Sequence, residues 1–178
     1  APLMASLAGH THIYGHYFAL DNDEFLQVIG ARSQAQIVAS LQAPAGTEFA
    51  IRRIVRDDLR TEHWQFFDKE RTVIGERFAA ASYAPTARPW YLDARRENRM
   101  IISGPYVFES TGTPGLTLST PLSGTSGTFG VFGTDINLGD LNDFLAGLSL
   151  TPNAAILMLD EQNQILAFSG RGEYFSAL

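Results

Sequence analysis

Between Ser103 and Ile136 the chain runs through three strand-like segments, Ser103–Ser110, Gly115–Leu122 and Thr128–Ile136. Only Thr111-Gly-Thr-Pro114 and Ser123-Gly-Thr-Ser-Gly127 separate them. Connections this short and glycine-rich are hairpin turns by composition, so the three segments form an antiparallel meander. More strand-like segments precede it. His12–Leu20 is aromatic and roughly alternating, the Asx turn Asp21-Asn22-Asp23 follows, and Glu24–Ile29 returns. Thr47–Arg56, Glu62–Asp68 and Thr72–Arg77 add three further strands. Two prolines make a loop of the stretch from Ser82 to about Arg88. Pro89 suits a first helical position, so Trp90–Arg99 forms a short helix. The clearest helix follows the meander: Leu138, Leu141, Phe144, Leu145 and Leu148 make one apolar stripe behind an Asn137 cap. After Pro152, Ala154–Asp160 and Gln164–Phe168 flank the turn Glu161-Gln-Asn163 as a separate hairpin.

The fold class that results is α+β, a mostly antiparallel sheet with helices on its faces. Two units are expected: residues 1–150 as the main domain, and residues 151–178 as the beginning of a module too short for its own core.

With 178 residues, 45% of them hydrophobic, the chain has ample material for a globular core. Its 13 Lys+Arg stand against 19 Asp+Glu, and no basic cluster forms a face, which argues against nucleic acid as a partner. The absence of cysteine excludes disulfides, thiolate metal sites and thiol catalysis. No apolar run is long enough for a membrane helix, and no signal peptide is recognisable.

The stretch from Tyr83 to Tyr91 concentrates recognition chemistry. Tyr83, Arg88, Trp90 and Tyr91 place hydrogen-bonding and cationic groups within one loop and helix start. An arginine there can grip a carboxylate through two parallel N–H bonds, and a helix N-terminus favours the same anion. The plainer account is that the aromatics plug the sheet and Arg88 sits at its rim.

On Arg88-Pro-Trp-Tyr91, Gly104-Pro-Tyr106, Gly112-Thr-Pro-Gly-Leu-Thr-Leu118 and Gly130-Val-Phe-Gly-Thr-Asp-Ile136, the chain resembles the double-Cache class. These are PAS-like extracellular sensor domains of bacterial transmembrane receptors. The match runs from about Ile13 to Phe168. One subfamily binds amino acids through an ordered set that Tyr83, Arg88, Trp90, Tyr91, Tyr106 and Asp135 reproduce. The resemblance implies that Tyr83, Arg88 and Trp90 hold a ligand carboxylate, while Tyr91, Tyr106 and Asp135 hold its ammonium. It implies a periplasmic or otherwise extracytoplasmic domain, attached to an inner-membrane receptor through helices absent from this sequence. The long helix that usually opens such domains is reduced here to a trace before His10. The stretch from Gly46 through Asp135 looks most like sensors of class III adenylate/guanylate cyclases; histidine kinases and chemoreceptors carry similar domains. Parent receptors of this kind work as dimers, so a homodimer is compatible.

The expected partner is therefore a small amino acid or amine, with no cofactor and no metal. Alternatives are a different ligand such as a carboxylate, a dimerisation domain whose own side chains fill the pocket, or an enzyme on another fold. No nucleophile elbow or metalloprotease motif supports catalysis. His10, His12 and His16 have even spacing and would share a strand face, but without carboxylates nearer than Asp21 and Asp23 they read as partly exposed strand histidines. Gly124, Gly127 and Gly130 read as a hairpin turn rather than a phosphate loop. Arg52-Arg53 and Arg95-Arg96 read as solvated faces. Phe67, Ile74, Phe108 and Phe132 are the expected apolar lining of the pocket.

Overall fold

The structure, a computed structural model, describes residues 2–56, 59–108, 110–125, 127–148, 151, 154–159, 163 and 165–169. A short helix α1 (Pro2–Gly9) leads into β1 (Ile13–Leu20) and β2 (Phe25–Gly30). Helix α2 (Ala35–Ser40) precedes β3 (Phe49–Val55), β4 (Thr61–Phe67) and β5 (Val73–Ala80). A 3-10 turn at Pro85–Ala87 runs into α3 (Pro89–Glu97), followed by β6 (Ile101–Val107), β7 (Pro114–Gly124), β8 (Gly127–Asn137) and α4 (Leu138–Gly147). A separate hairpin pairs β9 (Ile156–Leu159) with β10 (Ile165–Ser169).

Eight strands form one sheet in the order β5-β4-β3-β2-β1-β8-β7-β6, every pair antiparallel. It is two meanders joined where β1 pairs with β8. The first ends at one edge, β5, and the second begins at the opposite edge, β6. The chain must therefore cross the sheet, and residues 81–97 make that crossing over one face. The expected strands and both expected helices are present, within a few residues of their expected ends. The structure adds α2, whose six residues carry no long apolar period; Ile37 and Leu41 hold it to the sheet.

Side chains alternate between the two faces. On the crossing face, Tyr17, Ala19, Phe25, Ile54 and Val131 pack with Trp90, Tyr91 and Ala94. The same face, further toward β4, carries a second cluster of Tyr14, Ile29, Ala50, Trp64 and Phe66 with Phe108 and α2. The opposite face is covered by α1, through Met4 and Leu7 on Val28 and Phe49. It is also covered by α4 and β10, through Leu141, Leu145 and Leu166 on Leu116. Asn137 caps α4 as expected, its side-chain oxygen accepting from Gly139 N at 2.8 Å.

Candidate functional site

Where the crossing segment passes over the sheet, it leaves a cleft between the two. The floor is made by strand residues that share one face: Tyr17 of β1, Gln27 of β2, Arg52 of β3 and Asp135 of β8. The roof is Tyr83, Arg88 and Trp90 from the crossing segment, and Tyr106, Phe108 and Ser110 close one side.

Arg88 is the N-cap of α3, with extended backbone (φ −86°, ψ 146°), and Pro89 starts the helix behind it. Its guanidinium lies 5.5 Å from the centre of the Tyr83 ring. Trp90 Nε1 donates to the Tyr83 hydroxyl at 3.3 Å, and the Trp90 ring meets Tyr17 edge-on at 4.8 Å. Burial pushes the Tyr83 hydroxyl up to about 12, so it stays a neutral donor.

At the other end, Asp135 is 5% exposed. Its Oδ1 accepts from the Tyr17 hydroxyl at 2.6 Å and from Thr117 Oγ1 at 2.5 Å. Tyr106 is bonded to the same Thr117 hydroxyl, which makes a chain from Tyr106 to the carboxylate. Burial raises the Asp135 carboxyl to about 7, against the opposing pull of the Thr117 and Tyr17 hydrogen bonds. Two glycines make the geometry possible. A Cβ on Gly133 would stand 2.2 Å from the Tyr17 ring, and one on Gly115 would stand 2.1 Å from Phe108.

Five of the six residues singled out in the sequence thus line one cleft. Tyr91 does not. One residue further along a helix turns the side chain by about 100°, and its hydroxyl donates to Asp21 in the β1–β2 turn. Arg95 Nη2 reaches the other Asp21 oxygen at 3.2 Å. Asp23 in the same turn accepts from Thr86 N at 3.2 Å and Thr86 Oγ1 at 2.6 Å. The carbonyl of Tyr83 accepts from Arg60 Nη2 at 2.6 Å. The β1–β2 turn and Arg60 therefore clamp the segment that carries the roof.

Arg52 corrects the expectation of a solvated face. It is buried rather than solvated, and Nε and Nη2 donate to Glu62 Oε2 at 3.0 and 2.6 Å. Trp64 Nε1 donates to the other Glu62 oxygen. The Arg52 guanidinium also stands 4.7 Å from the Tyr83 ring centre, so two cations flank one aromatic ring. Its strand neighbour Arg53 is exposed, as expected. Gln27, which no motif indicated, is 5% exposed in the floor. Of the four expected apolar lining residues only Phe108 lines the cleft. Phe67 packs beside the α1 cluster, Phe132 stacks on His16, and Ile74 is exposed on β5. The histidines lie elsewhere: His16 bridges Ser6 and Thr134 at 3.1 and 3.0 Å, and His12 packs on Phe144.

The family model for the first PDC sensor domain of methyl-accepting chemotaxis protein-like receptors matches residues 3–143. Adenylate cyclase 1 of Rhizobium meliloti is 32% identical over 163 residues, which is 90% of this chain and 24% of that protein. The chain thus spans about a quarter of that relative. The ligand-binding domain of the Campylobacter jejuni chemoreceptor Tlp3, in complex with L-valine, superposes with a TM-score of 0.54 at 16% identity, over 99% of this chain and 52% of that one. That of the Pseudomonas fluorescens chemoreceptor CtaA, in complex with L-serine, gives 0.52 at 17%, over 98% and 55%. At such identities the two structures speak for the fold.

Proposed function

This chain belongs to the methyl-accepting chemotaxis protein-like family of first PDC sensor domains, and from that premise we propose that it is an extracytoplasmic sensor of a small α-amino acid or amine. The observation that carries the reading is the charge layout of one cleft, with a guanidinium backed by Tyr83 and Trp90 in its roof and a buried carboxylate in its floor. A zwitterion matches that layout. Arg88 would take its carboxylate through two N–H bonds, with the Tyr83 hydroxyl and Trp90 Nε1 as further donors. Asp135 would take its ammonium, helped by Tyr106 through Thr117 and by the ring faces of Tyr17 and Trp90. Without a cation, an ionised Asp135 is costly where it sits. Tyr91 has a supporting part here, because its hydroxyl is committed to Asp21. The superposed chemoreceptor domains hold amino acids, L-valine in one and L-serine in the other, which supports this class of ligand.

A membrane receptor whose output is an adenylate or guanylate cyclase fits the identity to the Rhizobium meliloti protein; chemoreceptor output fits the family description. Residues 1–150 are the sensing unit in this reading. The β9–β10 hairpin, packed on α4 through Leu166 and Ala167, begins a second module. A homodimer of the whole receptor belongs to the same reading.

The test is a thermal-shift screen of the refolded domain against the twenty amino acids, biogenic amines and small carboxylates at about 1 mM. A ligand with a dissociation constant of about 10 μM adds roughly 2.7 kcal/mol and raises Tm by about 5–11 °C. Arg88→Ala and Asp135→Ala are each expected to weaken that ligand by about 2–4 kcal/mol. A flat screen sinks the amino-acid reading.

A further inference from the structure

Once the zwitterion's two charged ends are assigned, two floor residues of the cleft have unmet hydrogen-bonding capacity. Gln27 Oε1 is buried with no hydrogen-bond partner among the described residues. Its cross-strand neighbour Arg52 commits Nε and Nη2 to Glu62, and Nη1 meets no partner among the described residues. Residues in direct register have Cβ atoms about 5 Å apart, so an unmatched acceptor and an unmatched donor lie side by side, both lining the cleft.

We propose that Gln27 and Arg52 form a side-chain subsite for a carboxamide, and that the ligand is an α-amino acid of the asparagine or glutamine type; this rests on the zwitterion reading above. A carboxamide offers its oxygen to Arg52 Nη1 and its N–H to Gln27 Oε1, and satisfies both groups at once. A side-chain carboxylate has no proton for Gln27, and Glu62 already neutralises Arg52 at 2.6 Å. An aliphatic side chain leaves both polar groups dry and unpaired, which a site built for hydrogen bonding rejects strongly. The subsite lies toward β3, three strands from Asp135 in the sheet order β3-β2-β1-β8. A ligand held at its ammonium by β8 would point its side chain that way.

The experiment is calorimetric titration of the refolded domain with L-asparagine, L-glutamine, L-aspartate, L-glutamate, L-leucine and L-methionine. One of the two amides is expected to bind at least tenfold more tightly than the apolar isosteres and the acids. Gln27→Leu is expected to reduce that preference about tenfold without lowering the Tm of the ligand-free domain, since it removes an unsatisfied acceptor from the interior. Tighter binding of leucine or methionine overturns the subsite, and tighter binding of an acid overturns the carboxamide class. An unchanged preference in a folded Gln27→Leu domain also overturns it. Should that variant not fold, the ranking on the wild-type protein decides alone. Binding of none of the six, while the wider screen finds another amino acid, removes only this inference. A flat wider screen removes the parent reading as well.

Discussion

Asp135 couples the site to pH in two opposite ways. Its carboxyl is raised from the usual carboxylate range to about 7. Between those values the folded, ligand-free domain holds a proton that the unfolded chain has lost. Raising the pH from about 4 through 7 therefore removes stability from the ligand-free fold. An ammonium ligand reverses the sign, because it needs the ionised carboxylate. Affinity is expected to rise about tenfold between pH 6 and pH 8, as the ionised fraction grows. Asp135→Asn should flatten both trends, which melting curves and titrations at the two pH values would check. A binding constant that does not change with pH would mean that Asp135 does not meet the cation. Arg52 shows the limit of reading single residues from sequence. On a strand, consecutive residues point to opposite faces, so one of Arg52 and Arg53 had to point toward whichever face was covered at that position of β3. Ala50 and Ile54 flank Arg52 on its face, Ile51 and Val55 flank Arg53 on the other, and both pairs are apolar. The local pattern therefore held no sign of which arginine was buried; the partner Glu62 decides it from another strand.

The β1–β2 turn and the crossing segment act as one element. Asp21 and Asp23 hold Tyr91, Arg95 and Thr86, so the turn sets the height of the roof over the floor. Tyr91→Phe keeps the ring in its cluster and removes only the bond to Asp21. It is expected to weaken ligand binding about 2–10-fold, because the lost bond acts on the site only through the position of the crossing segment. That is well short of the loss expected for Arg88→Ala. Side-by-side titrations would separate the two, and equal losses would place Tyr91 on the ligand. The elements themselves were legible because strand alternation, turn composition and the apolar stripe of α4 are local signals. The helix α2 was not, because a six-residue segment with two inward apolar side chains has no period to detect. The clamp was equally hidden, since Asp21 and Tyr91 lie 70 residues apart.

On the scale of the molecule, the ligand would touch both meanders and the segment that joins their outer edges. Tyr17 and Asp135 stand on β1 and β8, the pair that seams the meanders, and those strands connect directly to α1 and α4. Binding is expected to slow amide hydrogen exchange at residues 83–91, 13–20 and 131–137, with little change at the edge strand β5. Peptide-level exchange with and without the screened ligand would show it. Uniform protection across the sheet would point to global stabilisation rather than a bridge. That β1 and β8 are neighbours could not be read from the chain, since no local signal reports which strands of two meanders meet.

The crossing of the sheet also has an engineering consequence. In the proposed reading the grip on the ligand carboxylate lies in the nine residues from Tyr83 to Tyr91 and the grip on its ammonium at Asp135, whereas the part that discriminates side chains sits apart on β2 and β3. Position 27 can therefore be randomised as a small library while the grip stays intact, with Arg52 kept because the buried Glu62 depends on it. Leu92, half-exposed on α3 beside the roof, offers an attachment point for a reporter dye. A panel of amino-acid biosensors with different tastes and a common readout follows from that separation.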